Sequence, residues 1–267
     1  MLSINKFFDK HAKNTLTFFY RLSVRYQRWF KGYSYDPKEN GEYNLLNKLE
    51  KSSHQVIFDV GANVGEWTDT ILNKFEIVEC HCFEVFPVTA TKLQERFKYD
   101  SRVRVNDIGL GATQGVARLK VYDDKSTVNT LVSTLDFHRD QSSRIIDVNI
   151  TTGDIYASTN GISRISLLKI DVEGVELDVL RGFSDLLSNN LIDLVQFEYG
   201  YANGEAGALM KDFYCFFDSF NYIVGRLEKT GVSFSKFDYS FNNFESGPNF
   251  VAVSRSNVKL IERISTV

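Results

Sequence analysis

The sequence predicts an α/β domain built on a mostly parallel β-sheet. Short, almost continuous apolar runs alternate with segments in which apolar residues recur every three or four positions. Continuous apolar strands are typical of parallel sheets that helices cover on both faces. The chain has 267 residues, which fits one sizeable domain with an appendage. Its composition, 43% hydrophobic and 24% charged, excludes a collagen-like, coiled-coil or disordered chain as a whole.

The first 31 residues are basic and rich in aromatic side chains. They carry seven Lys and Arg residues and a single acid, Asp9. Apolar residues at spacings of three and four mark one face of a helix or of two consecutive helices: Phe8, Leu16, Phe19, Leu22, Tyr26 and Trp29. We therefore predict an amphipathic helical extension over residues 1–45. Three uses stay open: packing on the main domain or on a second subunit, contact with an anionic membrane surface, or a lid over a substrate site.

The overall charge and the cysteines exclude several classes of protein. A net charge of −3 gives no basic excess for nucleic acid, so we expect no nucleic-acid partner. The three cysteines provide neither a disulfide framework nor a zinc motif. The chain has no apolar run long enough for a membrane span and no signal-peptide core. We expect a cytoplasmic protein, with peripheral contact at the inner face of the membrane or dimerisation through residues 1–31 left open.

The main domain is predicted over residues 46–257, followed by a C-terminal tail at 258–267. Apolar runs predict strands at 55–60, 78–83, 102–106, 166–170, 192–197, 222–226 and 249–254, and helical spacing predicts the segments between them. Residues 115–122 and 144–151 instead alternate apolar and polar positions, which is typical of half-exposed antiparallel strands. They predict a β-hairpin insertion at about 112–160, whose polar linker 126–130 we expect to close over a site.

A glycine loop follows the first strand and opens a helix. Gly61 and Gly65 permit a sharp turn and a close approach of a ligand to the backbone. Glu84 ends the second strand, where an acid binds the hydroxyls of a ribose. In a dinucleotide-binding loop, a glycine is expected at the position of Asn63 so that the pyrophosphate can approach the backbone. The carboxylate of Asp59 would also repel the phosphates. S-adenosylmethionine has a sulfonium and an amino group instead, so the loop favours it over a dinucleotide.

Three motifs make this interpretation specific. They are Asp59-Val-Gly-Ala-Asn-Val-Gly65, Phe83-Glu-Val-Phe-Pro87 and Lys169-Ile-Asp-Val-Glu-Gly-Val-Glu-Leu-Asp-Val-Leu-Arg-Gly182. With them the chain resembles class I methyltransferases, and within these the FkbM family, over about residues 55–200. The resemblance implies a Rossmann-like, seven-stranded, mostly parallel sheet with an antiparallel last strand. It also implies methyl transfer from S-adenosylmethionine, usually to oxygen, on sugars of surface glycans or on secondary metabolites.

The resemblance assigns cofactor-binding roles residue by residue. It implies that the methionine part is held by Asp59, Gly61, Asn63 and Gly65. Glu84 would hold the ribose, and Asn106, Asp107 and Ile108, at the end of the third strand, would reach the adenine.

Two carboxylates mark the catalytic end of the sheet. Asp171 ends the fourth main strand and Glu198 the fifth, and neighbouring strand ends open onto one cleft. Either acid could take the proton of an acceptor hydroxyl, or both could bind a hard cation such as Mg²⁺. Glu173 is predicted in the first turn of the next helix, where the helix dipole favours an anion. Tyr199 and Tyr201 are candidates for a stacking wall against a sugar.

The sequence thus predicts an S-adenosylmethionine-dependent O-methyltransferase acting on a small-molecule or glycan acceptor. The favoured acceptor is a sugar hydroxyl of a surface glycan, of its precursor or of a secondary metabolite. Two alternatives remain: an NAD-dependent oxidoreductase on the same sheet, and a non-catalytic module that binds cofactor or glycan.

Overall fold

In the computed structural model, strands and helices alternate along the chain as predicted. The structure describes residues 2–31, 34, 36–49, 55–122, 131, 143–242 and 249–266, with side chains in the first helix at 12–27, 29 and 30. The helices of this part are α1 (Leu2–Lys31), α2 (Glu42–Lys48), α3 (Glu66–Lys74), α4 (Pro87–Phe97), α5 (Gly153–Thr159), α6 (Glu176–Arg181), α7 (Ser184–Ser188), α8 (Tyr201–Glu205), α9 (Met210–Ser219) and α10 (Val258–Ile264). The strands are β1 (Gln55–Val60), β2 (Val78–Phe83), β3 (Val103–Asn106), β4 (Gly109–Leu110), β5 (Gly115–Val121), β6 (Arg144–Thr151), β7 (Leu167–Ile170), β8 (Leu194–Glu198), β9 (Tyr222–Glu228), β10 (Gly231–Phe234) and β11 (Asn249–Ser254).

The main sheet has the order β10-β9-β11-β8-β7-β1-β2-β3. Its centre is parallel, and β11 runs antiparallel to both of its neighbours, β8 and β9. The predicted class I methyltransferase fold, with an antiparallel last strand, is confirmed. The structure adds an eighth strand, β10, which forms an antiparallel edge hairpin with β9 through a two-residue turn. The sequence analysis missed it because Lys229-Thr230 lacks the Asn-Gly or Asp-Gly signal of such turns.

Successive residues of the central strands bury opposite faces of the sheet. Phe58 points into one core, with Phe83, Phe183 and Phe197, whereas its neighbour Ile57 points into the other. Helices cover both faces, because a strand whose side chains alternate between two apolar layers has no solvated face. Because both faces of the sheet are buried, the central strands are continuous apolar runs in the sequence.

The β-hairpin insertion is present where predicted. Strands β5 and β6 pair antiparallel from Gly115–Ile150 to Val121–Arg144, and β4 adds a short parallel strand to β6. The hairpin has its own small apolar core, which includes Leu119, Val148 and Phe86. The linker 126–130 lies outside the described residues.

The ends of the predicted main domain need correction. The boundary at residue 45 falls inside α2, whose Leu45 and Leu46 are fully buried against the sheet, so α2 belongs to the domain. The predicted C-terminal tail contains α10, with Ile264 buried and the Thr266 N–H bonded to the Val232 carbonyl at 3.0 Å.

The N-terminal extension is one continuous helix of 30 residues rather than two. Its described side chains are exposed except for Thr17 and Val24, which are half-buried. These side chains are therefore not packed on the main domain in the structure, and contact with a second subunit or a membrane surface stays a prediction. In the part of the chain that the structure describes, no helix is long and apolar enough to cross a bilayer.

Candidate functional site

The glycine loop turns sharply over the carboxyl end of β1. Gly61, Asn63 and Gly65 all have left-handed backbone conformations, with φ of 83°, 48° and 84°. Glycine takes this conformation without a steric cost, and asparagine is among the residues that tolerate it best. The N–H groups of Gly61 and Ala62 both donate to the Phe83 carbonyl at 3.0 Å. The loop is thereby tied to the end of β2.

Gly61 also lies directly against the end of β7. A Cβ at this position would sit 1.8 Å from the Asp171 carbonyl oxygen, so no other residue fits without moving one of the two strand ends. The predicted cofactor loop and the predicted catalytic acid are therefore in contact through their backbones. This contact joins two residues that are 110 positions apart in the sequence.

Glu84 connects the glycine loop to the start of α4. Its Oε2 accepts a hydrogen bond from the Asn63 N–H at 3.0 Å, and its Oε1 accepts one from the Phe86 N–H at 2.8 Å. Burial raises the pKa of Glu84, although both backbone bonds act against the shift. The structure brings this acid to the loop that the sequence paired with it, and its role toward a ribose stays a prediction.

Asp59 lies beneath the loop and is fully buried. Its Oδ2 accepts a hydrogen bond from the Thr68 hydroxyl at 2.7 Å, and its Oδ1 is 3.9 Å from the Lys169 ammonium without a hydrogen-bond partner among the described residues. Burial raises the pKa of Asp59, while Lys169 and Thr68 oppose the shift. A buried acceptor oxygen without a donor, next to a glycine cradle, fits a ligand that brings an amino group. The residues present therefore fit S-adenosylmethionine.

Of the residues assigned to the adenine, Asn106 already forms hydrogen bonds within the protein through its side chain. Its amide donates to the Cys82 carbonyl at 3.1 Å, and its Oδ1 accepts from the Tyr156 hydroxyl at 3.0 Å. Tyr156 also contacts Nδ1 of the buried His81 at 2.8 Å. Asp107 is exposed and Ile108 half-buried, so these two remain available to a ligand. Tyr156 was not predicted, because it comes from α5, behind the insertion, and its neighbours in the sequence carry no signal of this contact.

Asp171 and Glu198 form the predicted pair at neighbouring strand ends, where Ile170 of β7 is in register with Phe197 of β8. Their carboxyl groups are hydrogen-bonded to each other. Burial, and then the charge of Asp171, raises the pKa of Glu198 to about 10. At neutral pH Glu198 therefore keeps its proton and donates it to Asp171.

Lys169 neutralises the other side of this pair. Its ammonium is 2.9 Å from Oδ2 of Asp171. Burial by itself lowers the pKa of Lys169, but the charges of Asp171 and Asp59 outweigh burial and raise it. Burial alone would raise the pKa of Asp171, yet Lys169 and the bond from Glu198 hold it below its usual range. The result is a row of three groups: the Lys169 cation, the Asp171 anion and the neutral acid Glu198.

Glu173 is not in a helical turn as predicted. It lies in the loop before α6, which begins only at Glu176. Glu173 and Gly174 have φ of 56° and 112°, so the backbone reverses here and delays the helix. Burial, followed by the charges of Asp171 and Glu176, raises the pKa of Glu173 to about 8. It is thus a nearly neutral carboxyl group at physiological pH rather than a helix-start anion.

Glu176 holds this loop in place and was not singled out from the sequence. Its buried carboxylate accepts from the N–H groups of Val172 at 3.0 Å and Gly174 at 3.1 Å, and from the side-chain amide of Asn203. Burial raises its pKa to about 7 although these backbone bonds oppose the shift. The third motif contains Glu176, but only the folded loop shows that this acid points backwards onto Val172.

A second polar cluster anchors α2 beside the acid pair. Glu42 accepts from the side-chain amides of Gln196 at 3.0 Å, Asn249 at 3.1 Å and Asn40 at 2.6 Å. Asn249 is the β11 residue in register with Glu198. The start of the main domain is therefore fixed next to the predicted catalytic end of the sheet.

Two further expectations concern the sugar-stacking wall of Tyr199 and Tyr201 and the metal site. Tyr199 is fully buried among Phe213 and Phe250, so it cannot form part of a sugar-stacking wall, whereas Tyr201 is 52% exposed. Within the described ranges, no three His, Cys, Asp or Glu side chains are grouped so that they could hold a metal ion.

Comparison with known proteins identifies the family of this chain. A family model described as the methyltransferase FkbM domain matches residues 59–230. The chain is 28% identical over 167 residues to 31-O-demethyl-FK506 methyltransferase FkbM of Streptomyces tacrolimicus, covering 53% of this chain and 64% of that protein. It is 24% identical over 163 residues to the hexuronic acid methyltransferase AglP of Haloferax volcanii, covering 60% and 64%. Methyltransferase 1 of Beauveria bassiana is 26% identical over 169 residues, covering 56% and 68%. The matches span about two thirds of these relatives' lengths.

Among solved structures, a precorrin-6y C5,15-methyltransferase from Geobacter metallireducens aligns with a TM-score of 0.43 at 10% identity, covering 81% of this chain and 88% of that one. The plantazolicin methyltransferase BpumL, solved with S-adenosylhomocysteine, aligns with a TM-score of 0.40 at 10% identity and 82% of both chains.

Proposed function

We propose that this chain, which belongs to the FkbM methyltransferase family and is an S-adenosylmethionine-dependent methyltransferase, methylates a hydroxyl oxygen of a sugar or of a secondary metabolite. The observation that carries the proposal is the Lys169–Asp171–Glu198 row at the ends of β7 and β8. The row touches the glycine loop through the Gly61–Asp171 backbone contact. A group able to take a proton therefore lies beside the loop to which the cofactor is assigned.

S-adenosylmethionine supplies a methyl group that its sulfonium already activates, so the protein's task is to align the acceptor oxygen and exclude water. We assign Glu84, the loop around Asn63 and Oδ1 of Asp59 to holding the cofactor. This Oδ1 has no hydrogen-bond partner among the described residues. Gly61 lets this loop pack directly against the Asp171 carbonyl.

Asp171 is the ionised member of the acid pair and is assigned as the proton acceptor. A sugar hydroxyl is a weak nucleophile until a base removes its proton. Glu198, with its pKa raised to about 10, donates to Asp171 and holds the carboxylate in one orientation. Glu173, whose pKa is raised by burial and by the charges of Asp171 and Glu176, is assigned to the acceptor side of the site.

The names of the relatives support oxygen as the acceptor atom. One acts on a 31-O-demethyl compound and another on a hexuronic acid. The first name places the missing methyl group on an oxygen, and a hexuronic acid carries hydroxyl groups that can accept one. We extend this acceptor class to the present chain as part of the proposal.

A divalent cation such as Mg²⁺ at Asp171 and Glu198 is the competing account of how the hydroxyl is activated. The ammonium of Lys169 already lies 2.9 Å from Oδ2 of Asp171 and balances the charge of that carboxylate. A hard cation prefers several ionised or carbonyl oxygens. We therefore assign the general-base role to Asp171 without a metal.

The test has two stages. Calorimetric titration with S-adenosylhomocysteine, with NAD as control, should give one-to-one binding of S-adenosylhomocysteine alone. Uronic acids and their glycosides are then screened for methyl transfer with and without EDTA. Methylation that survives EDTA supports the general-base account, and loss of activity restored by Mg²⁺ would support the metal. Binding of NAD alone would refute the proposal, and cofactor binding without turnover of any hydroxyl acceptor would favour a binding module.

A further inference from the structure

The long N-terminal helix presents an uncovered apolar face. Phe19, Leu22, Tyr26 and Trp29 lie on one side of α1, and all four are more than half exposed, with Trp29 74% exposed. Tyr26 contacts Trp29 and Phe30 ring to ring, so the aromatics form a continuous surface. A soluble monomer rarely leaves such a surface uncovered. The methyltransferase site does not use this face.

The opposite face of α1 is cationic. At 100° per residue, the helix places all seven of its basic residues within an arc of roughly 120°: Lys6, Lys10, Lys13, Arg21, Arg25, Arg28 and Lys31. The only acid among residues 1–31 is Asp9. The helix therefore pairs an aromatic face with a positive one.

We propose that α1 lies along the surface of an anionic phospholipid bilayer, parallel to the membrane plane. Aromatic side chains insert at the boundary between headgroups and acyl chains, while Lys and Arg remain at the level of the lipid phosphates. A second copy of α1 would cover the apolar face equally well. It would bring seven more cations and only one more acid, so a pair of α1 helices would leave the charge unbalanced. An anionic surface satisfies both faces at once.

The connection to the main domain limits how far the catalytic site can lie from that surface. Ten residues, 32–41, separate α1 from Glu42, which Gln196 and Asn249 hold beside the acid pair. A fully extended chain of this length spans about 36 Å. Membrane contact through α1 would therefore keep the carboxyl end of the sheet near the lipid headgroups. The proposal concerns binding alone and does not depend on the methyl acceptor.

The experiment is co-sedimentation of the full chain with vesicles of phosphatidylcholine, and of phosphatidylcholine mixed with phosphatidylglycerol. We expect binding to the mixed vesicles only, and weaker binding at high salt. The double variants Phe19→Glu/Tyr26→Glu and Arg21→Gln/Arg25→Gln should each reduce vesicle binding by about tenfold or more. Tyr99→Glu, at an aromatic residue that is 91% exposed outside α1, is the matched control and should bind like the unchanged chain.

Titration with S-adenosylhomocysteine checks that every variant retains a folded cofactor site, so a folding defect is recognised separately. Equal binding to neutral and anionic vesicles, or no binding to either, would overturn the proposal. A concentration-dependent dimer in sedimentation velocity that Phe19→Glu/Tyr26→Glu abolishes, without vesicle binding, would instead identify a second copy as the partner.

Discussion

The main-chain N–H of Asn63 donates a hydrogen bond to Oε2 of Glu84 at 3.0 Å, across 21 positions of sequence. One carboxylate oxygen is thus held by the glycine loop and the other by the start of α4. The two segments assigned to the cofactor are therefore already joined to each other. A site built in this way is preorganised, because little ordering remains to be done when the ligand binds.

Replacing Glu84 with Ala should weaken the binding of S-adenosylhomocysteine by roughly ten- to a hundredfold, because a hydrogen bond to a charged group contributes about 1.5–3 kcal/mol. Isothermal titration calorimetry measures the effect. The control is Glu95→Ala, at an exposed glutamate of α4. Unchanged affinity in the Glu84 variant would remove this residue from the cofactor site.

The two acids of the pair should respond differently to amide substitution. Asp171→Asn removes the ionised carboxylate and should slow methyl transfer about 10²- to 10⁴-fold, the usual contribution of a general base. Glu198→Gln should cost less, because the amide is close in shape to the protonated acid and can still donate to Asp171. Single-turnover kinetics with saturating cofactor compare the two variants. S-adenosylhomocysteine binding should be retained in both, and a larger loss for Glu198→Gln would reverse our assignment of the base.

Stability should fall as the pH rises from about 5 to 8. The pKa of Glu173 is about 8 in the folded protein and ordinarily 4.5, and the pKa of Glu176 is about 7. In this range the unfolded chain has released these protons while the folded chain keeps them, so the unfolded state binds fewer protons and the free energy of unfolding decreases with pH.

Differential scanning calorimetry across this range checks the direction. Glu173→Gln should flatten the decline of Tm with pH, whereas Glu95→Gln, at the exposed control position, should not. A Tm that rises over the same interval, or equal slopes in all three proteins, would contradict the burial of Glu173.

Gly61→Ala should be far more damaging than an equivalent change elsewhere. Gly61 and Gly207 have nearly the same φ, 83° and 82°, so alanine meets the same backbone strain at both, about 1–2 kcal/mol. Only at Gly61 does the new Cβ collide with a backbone atom, the Asp171 carbonyl oxygen; around Gly207 nothing lies within 4 Å. Thermal unfolding should therefore show a clearly larger loss of Tm for Gly61→Ala. Equal losses would mean that the β1 and β7 ends separate freely.

Features that depend on neighbours in the sequence were predictable. The glycines at 61 and 65, the strand-end acids Asp171 and Glu198, and the hairpin of residues 115–122 and 144–151 all follow from turn chemistry or from a period of two or 3.6 residues. The sequence analysis expected the strands that end at Asp171 and Glu198 to be neighbours, and the pairing of β7 with β8 confirms it. Glu173 shows the limit of periodicity, since two left-handed residues moved the helix start to Glu176.

The sequence by itself determined seven of the eight strands described in the main sheet, which loop turns on glycine and which acids stand at the strand ends, because these properties are local. Only the tertiary structure decided the protonation states and the hydrogen-bond partners of those groups. Burial beside Asp171 keeps Glu198 protonated. The hydroxyl of Tyr156 donates a hydrogen bond to Asn106, 50 positions away in the sequence. The side-chain amides of Gln196 and Asn249 donate hydrogen bonds to Glu42 and so fix α2 to the domain. A proton's affinity and a hydrogen bond's partner depend on desolvation and on contacts between distant segments, and neither exists until the chain has packed.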